Sequence, residues 1–366
     1  MSLTSVLKGF VKSGLIKLYI FVSRIREIFH LRSIRFLPFL DQPKVFIGFQ
    51  NNKNSGGGLK LRDLKAFDSD DNKYNVLYLL SSSLPASFEV MIINAKKARS
   101  KIIWNQNGVS FAAWAGPNYM ELNKSFKFGI ESADIVIFQS YFSLDSVDKL
   151  VLDTKKLTNK VVIHNAINTF VFKPAYYKHG NSIRILVAGS HNDIIRVVLS
   201  VSILSLLRQA GIDCQLNIAG KIKKSSIYDV KNLIEKENLA DYVTFLGEYG
   251  RNEAPEIFSS SDILLHLQPF DSCPTVVIEA MASALVVVGP NNGAIPELLG
   301  EELSFQLVNN LTSYDSYDWG NPVEYKEKII SLIPMLDLLK RRARDRAVKY
   351  YDLENWVAAH NKLFYN

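Results

Sequence analysis

From Lys44 onward, short continuous apolar runs alternate with stretches in which apolar residues return at helical spacing. In the first half the runs Lys44–Phe49, Tyr74–Leu80, Lys101–Gln106, Asp134–Ser140 and Lys160–Ala166 predict strands. In the second half Ile183–Gly189, Gln215–Gly220, Tyr242–Gly247, Asp262–Leu267 and Leu285–Pro290 do the same. Runs such as Arg184-Ile-Leu-Val-Ala and Leu285-Val-Val-Val lack polar alternation, which is the pattern of strands covered on both faces. Helix-length spacers between strands indicate βαβ units and parallel sheets. The pattern breaks from Phe172 to Ser182, just before a new first strand. The expected architecture is α/β, with Rossmann-like domains over 41–175 and 180–345 that face a cleft. The C-terminal helix, 346–366, is placed to pack back on the first domain. Ligands of such sheets bind beyond the C-terminal ends of the strands.

The first forty residues differ from the rest. Leu3, Leu7, Phe10, Val11, Leu18, Phe21, Val22, Ile25 and Phe29 recur at helical spacing, with cations between them. Lys8, Lys12, Lys17, Arg24, Arg26, Arg32 and Arg35 face only Glu27, so this segment holds nearly all of the net charge of +7. Charges interrupt every apolar stretch well short of the roughly 20 residues a membrane span needs, and they break up any signal-peptide core. Two readings stand. Residues 1–35 form an amphipathic helix lying in an anionic membrane surface, or a helix packed on the protein with its cations in water. The first implies a peripheral protein on the cytoplasmic face of a membrane.

Composition narrows the class. With 366 residues, 48% hydrophobic and 22% charged, the chain is globular and long enough for two cores. Cys214 and Cys273 are too far apart to suggest a disulfide framework, and no Cys/His cluster has zinc spacing. Beyond the basic start the chain is nearly neutral, which argues against a nucleic-acid partner.

The chemistry concentrates in Leu264-Leu-His-Leu-Gln-Pro-Phe-Asp-Ser-Cys-Pro-Thr-Val-Val-Ile-Glu-Ala-Met-Ala. A strand ends near Leu267, a loop carries Asp271, and a helix begins near Thr275 with Glu279 in its first turns. A helix N-terminus at a sheet edge offers unpaired amides to a diphosphate, whereas the two carboxylates suit sugar or ribose hydroxyls. The loops Gly189-Ser-His-Asn and Pro290-Asn-Asn-Gly-Ala offer comparable backbone donors. Gly56-Gly57-Gly58 would permit close backbone approach in the first-domain cleft, or would form a surface loop; no phosphate-loop lysine motif follows it. Asp68-Ser-Asp-Asp71 reads as a solvated acidic turn, so no metal is expected. His266, inside an apolar run, reads as structural, and the basic face of Arg341, Arg342, Arg344 and Arg346 as solvated.

These residues resemble the retaining family 4 glycosyltransferases, the glycosyl transferases group 1. The family places an acidic residue, seven intervening residues, and then Glu before Ala-Met-Ala; Asp271 and Glu279 have that spacing. Ser261-Asp-Ile-Leu-Leu-His-Leu, Asn292-Gly-Ala-Ile-Pro-Glu-Leu-Leu-Gly, Leu216-Asn-Ile-Ala-Gly, Val243-Thr-Phe-Leu-Gly and His164-Asn-Ala-Ile-Asn-Thr-Phe also look like the family. The Asp-Ser-Cys-Pro variant and Asn105-Gln-Asn-Gly-Val resemble a branch associated with surface polysaccharide assembly. The resemblance covers roughly Lys160 to Gly300 well and the first domain loosely.

The resemblance implies a GT-B fold and a transferase that moves a sugar, with retention, from a UDP- or GDP-sugar to a glycan or lipid-linked acceptor. No other cofactor and no metal is implied. Glu279 would hold the donor ribose and Asp271 would lie near the transferred sugar. Gly189, Ser190, His191, Cys273, Thr275, Gly293 and Leu246 would complete the donor site. Gln106 and Asn107 would face the cleft where the family has a histidine. The family's Arg and Lys in the first donor-domain loop fall on Ser190 and Ile195, which leaves Arg196, one place beyond, as the candidate cation. Ala284, Val286 and Ala294 stand where the family has Gly, Pro and Gly. Two other classes stay open: a noncatalytic sugar-nucleotide-binding partner of a membrane glycosylation complex, and a GT-B epimerase of nucleotide sugars.

Overall fold

The computed structural model describes residues 33–39, 42–47, 56–68, 72–175 and 182–365. Most of the basic amphipathic segment 1–35 lies outside the described residues. So do Ser69, Asp70 and Asp71 of the acidic turn, and 176–181 of the break between domains.

All ten expected strands are present, somewhat trimmed at their ends. The first sheet is parallel, in the order β1 (Val45–Phe46), β2 (Val76–Leu80), β3 (Lys101–Gln106), β4 (Ile135–Phe138) and β5 (Lys160–Val162). Arg35–Phe36 pairs separately with Lys73–Tyr74. The second sheet contains β6 (Ile183–Ala188), β7 (Cys214–Ala219), β8 (Val243–Gly247), β9 (Ile263–Leu265) and β10 (Val286–Val288), in the order β8-β7-β6-β9-β10, again all parallel. Winding therefore runs outward in both directions from β6. The gap between β6 and β9 is a topological switch point, where a doubly wound sheet opens a crevice for ligands.

Continuous apolar runs form these strands because both sheet faces are covered. In the first domain one face packs Leu77, Leu79, Ile102, Trp104 and Phe138 against the helices Phe88–Lys97 and Tyr119–Ser132. The other face packs Tyr78, Leu80, Ile103 and Ile137 against Leu61 and Leu64. It also receives Trp356 and Phe364 of the last helix, Leu353–Tyr365. The chain thus returns from the second domain to cover the first sheet. A single larger cluster, including Leu186, Ile218, Leu264, Ile278 and Val287, fills the second domain.

The basic face of the helix Leu336–Tyr350 is not uniformly solvated. Arg341 and Arg342 are exposed, but Arg344 Nη1 donates to the carbonyls of Thr169, Phe172 and Ala282 at 3.0, 2.8 and 2.7 Å. Arg346 Nε donates to the Leu298 carbonyl at 2.6 Å, and Nη1 pairs with Glu302 at 2.8 Å. Pattern alone cannot separate these from solvated arginines, because the carbonyls they bind lie at least 48 residues away in sequence. Among the described residues no helix is long and apolar enough to cross a membrane.

Candidate active site

Beyond β9 the chain passes through His266–Pro274 into the helix Thr275–Ala282. Pro274 precedes that helix without a side-chain cap; its carbonyl accepts from Val277 N at 3.1 Å, and among the described residues no side chain caps the amides of Thr275 and Val276. The loop ahead of it is tightly held. Phe270 adopts φ +52° and donates its amide to Asn292 Oδ1 at 2.8 Å, and Ala294 N donates to the Asp271 carbonyl at 2.8 Å. Gly293 has φ +65°, and a Cβ there would fall 2.7 Å from Asp271 O and 2.8 Å from Asp271 N. Glycine lets the second loop lie directly on the backbone of the first.

The first domain clasps this loop. Ser140 Oγ donates to the Ser272 carbonyl, and a Cβ on Gly108 would run into Ser272 Oγ. Asn165 donates through Nδ2 to the Cys273 carbonyl at 2.6 Å and through its backbone N–H to Cys273 Sγ at 3.4 Å. Phe111 and Phe142 of the first domain meet Phe270 and Tyr314 of the second with ring centroids 5.2–6.5 Å apart. Ala113 N donates to Tyr314 O at 2.9 Å, which ties the second-domain segment around Tyr314 to the first domain.

Asp271 and Glu279 each lie near a cation at the junction with the first-domain helix Gly56–Asp63. Asp271 Oδ2 is 3.4 Å from Nε2 of the buried His266, and Lys60 and Arg196 both lie within its electrostatic reach. Glu279 lies near Arg251 and Tyr249 of the loop after β8. Arg251 Nη1 in turn pairs with Asp63 at 3.1 Å. Lys60 and Asp63 are three residues apart, hence neighbours on one helix face, so a single face carries both the cation near Asp271 and the partner of Arg251.

Burial sets the charge states. Desolvation raises Glu279 to about 7, partly opposed by Arg251. Desolvation lowers Lys60 to about 8, against the attraction of Cys273 and Asp271. The Cys273 thiol is pushed up to about 12 by burial, so it stays neutral. Burial lowers the Arg196 guanidinium as well, although an arginine remains charged.

The expected donor residues are treated unequally. Arg196 folds back over its own loop, Nη2 donating to the Ser190 carbonyl, while its buried Nε has no hydrogen-bond partner among the described residues. Ser190 is exposed, Leu246 is exposed at the end of β8, and Thr275 opens the helix. His191 needs correction: its ring is 1% exposed, Nε2 lies 3.0 Å from the Ala219 carbonyl, and burial holds it neutral with a pKa of about 4. It braces the ends of β6 and β7, its ring turned into the domain interior. The amides of Gly189 and His191 are also consumed, donating to Ala219 O and Lys221 O at 3.1 and 3.0 Å. Cys273 contributes no side chain to the cleft, since its sulfur accepts from Asn165.

In the first domain, Gly56-Gly57-Gly58 is no loop; it opens the helix Gly56–Asp63. Gly57 packs so closely on the turn Ser81–Ser83 that a Cβ would lie 2.8 Å from Ser82 Oγ. Gln106 is completely buried, accepting from Trp104 Nε1 at 2.7 Å and donating to the Gly108 carbonyl at 2.6 Å, so it does not face the cleft. Asn107 is partly exposed, and its amide donates to Ser81 Oγ at 2.9 Å. Lys60, Asp63, Tyr249 and Arg251 were not singled out from the sequence. The available signal was a glycine run opening a helix that carries Lys and Asp three positions apart.

Comparison with known proteins bears on the fold and the family. Residues 171–344 match the family model described as glycosyl transferases group 1. An uncharacterized 41.2 kDa protein in the cps region of Klebsiella pneumoniae is 25% identical over 65% of this chain and 66% of its own length. N-acetyl-alpha-D-glucosaminyl L-malate synthase of Bacillus anthracis is 22% identical over 67% of this chain and 63% of its own. The chain thus spans just under two thirds of the length of these curated relatives. The structure of Anabaena Alr3699/HepE in complex with UDP superposes with a TM-score of 0.62 at 15% identity, covering 79% of this chain and 78% of that one.

Proposed function

We propose, from the premise that residues 171–344 belong to the glycosyl transferases group 1 family and that the whole has the GT-B fold, that this protein transfers a sugar from a nucleoside-diphosphate donor to an acceptor with retention at the anomeric carbon. The observation that supports the reading is that one face of the helix Gly56–Asp63 reaches Asp271 through Lys60 and, through the Asp63–Arg251 pair, the surroundings of Glu279. A donor there has its ribose hydroxyls at Glu279 and its diphosphate at the open amides before Val277, with Arg196 alongside. Its sugar lies toward Asp271 and the first domain.

Charge develops on the departing phosphate as the C1–O bond loosens toward an oxocarbenium ion. That phosphate accepts the proton of the incoming hydroxyl as the new C1–O bond forms on the same face. Fixed donors already aimed at the phosphate stabilise this charge without reorganising, which is the main source of rate enhancement in such sites. The interlocked domains exclude water and so suppress hydrolysis of the donor.

UDP is the favoured leaving group, because the similar structure of Alr3699/HepE is a complex with UDP. A polysaccharide or lipid-linked acceptor is favoured by the similarity to a cps-region protein. The basic apolar segment 1–35 suits an anionic membrane surface on the cytoplasmic side; undiminished pelleting with anionic liposomes after its deletion would rule that out. Thermal-shift titration with UDP-, GDP-, ADP- and CMP-sugars tests the donor assignment. One of them should raise the melting temperature, and Glu279→Ala should abolish the shift. No shift with any of them would overturn the reading.

Ser190 and Ile195, standing where the family has Arg and Lys, favour a second reading as a noncatalytic donor-binding partner. Donor binding without turnover on any acceptor would select it.

A further inference from the structure

We propose that Lys60 supplies, from the first domain, the second diphosphate cation that the second domain lacks, so that the donor is gripped from both sides of the cleft. This inference rests on the donor-binding reading above.

The second domain presents Arg196 but has Ser190 and Ile195 on either side of the loop leading to it. One cation is a poor match for a nucleoside diphosphate carrying two to three negative charges. Lys60 lies on the opposite wall, within electrostatic reach of Asp271, as Arg196 does. Asp271 therefore has a cation from each domain within electrostatic reach, with Asp193 the second carboxylate near Arg196.

Lys60 is also held in place by a buried relay. Its Nζ donates to Gln139 Oε1 at 2.8 Å. Gln139 Nε2 donates to Asn105 Oδ1 at 3.1 Å, and Asn105 Nδ2 donates to the Tyr78 hydroxyl at 2.7 Å. Gln139, Asn105 and Tyr78 are all at most 2% exposed, so the relay has little freedom to turn away. An ammonium has three N–H donors, and Gln139 takes one of them. A lysine with so much of its hydration removed gains from an arriving anion, because the phosphate replaces the lost water.

The groups facing Lys60 make its titration readable. Cys273 on the Asp271 loop is neutral, with its thiol pushed up to about 12. His360 on the last helix is neutral, held down to about 4 by burial. Tyr78 beneath the relay is raised by burial and stays protonated. Asp271, close to Arg196, is the charged neighbour of opposite sign. Near pH 8 the group that changes charge here is Lys60 itself.

The test compares binding of UDP, GDP and ADP, and of the corresponding monophosphates, to full-length wild type, Lys60→Met and Lys60→Arg. Lys60→Met should weaken whichever diphosphate the wild type binds by roughly 10- to 100-fold, while changing the monophosphate by less than about threefold. Lys60→Arg should restore most of the loss. Wild-type affinity for the diphosphate should fall as pH rises through 8, and that fall should vanish in Lys60→Arg, whose cation does not titrate there. If Lys60→Met does not fold, the pH profiles of wild type and Lys60→Arg decide alone. Equal affinities in Lys60→Met and wild type, equal loss for mono- and diphosphate, or an alkaline fall that persists in Lys60→Arg each overturn the inference. Failure of the wild type to bind all three diphosphates instead overturns the donor-binding reading beneath it.

Discussion

Arg251 Nη1 lies 3.1 Å from Asp63 Oδ1, joining the loop after β8 of the second domain to the helix Gly56–Asp63 of the first. The same arginine holds down the pKa of Glu279. One side chain thus connects domain closure to the carboxylate assigned to the donor.

The Asp63–Arg251 pair is partly exposed, so its own contribution to stability is small, about 0.5 kcal/mol and screened by salt. Asp63→Asn should leave the melting temperature within about 2 °C of wild type. It should nevertheless weaken donor binding several-fold, because closure loses its tie beside Glu279. Calorimetric titration at low and high salt checks both parts; an unchanged affinity would detach the pair from donor binding.

Glu279 is raised to about 7 by burial, above the ordinary carboxylate value. The folded protein therefore holds this proton more tightly than the unfolded chain, and the group costs stability as pH rises from about 4.5 through 7. Glu279→Gln should be more thermostable than wild type at pH 8 and little different at pH 4.5, measured by melting curves. Its ionised form is the better acceptor for ribose hydroxyls, so donor affinity in wild type should rise through pH 7. With Lys60 losing charge near 8, the binding profile should be bell-shaped and narrow, and Glu279→Gln should lack the acid limb.

Gly293 sits at φ +65° with the Asp271 backbone under 3 Å from any added Cβ. Gly293→Ala should push the loop off Asp271, costing about 1–3 kcal/mol from the backbone conformation and the contact together. The expected result is a lower melting temperature with a larger proportional loss of donor affinity. Wild-type affinity in this variant would show that the loop contact is unrelated to the site.

Ala284 offers the opposite sign. It has φ +61°, in the left-handed region, at a position where the family has glycine. Ala284→Gly should relieve about 1 kcal/mol of backbone strain and raise stability, with donor binding unchanged. Urea unfolding measures it; a destabilised variant would mean that the methyl packing outweighs the strain.

Much was legible from pattern. The ten strands follow from runs such as Leu285-Val-Val-Val, because burial on both faces demands uninterrupted apolar side chains wherever the run sits. The Asp271 to Glu279 interval was legible because loop, helix start and acids are contiguous in sequence. Side-chain direction was not. Gln106 and His191 read as cleft residues, yet they turn inward to Trp104 and Gly108 and to Ala219. Arg344 read as solvated, yet it donates to three carbonyls.

The sequence by itself determined where strands and helices form and which short segment carries the acids, since these depend on neighbours within a few residues. Only the tertiary structure decided that β6 lies at the centre of its sheet, that Arg344 turns to three carbonyls of distant segments, and that Lys60 meets Gln139 across 79 positions. Such pairings depend on which surfaces bury each other when the chain closes, and nothing local encodes the partner.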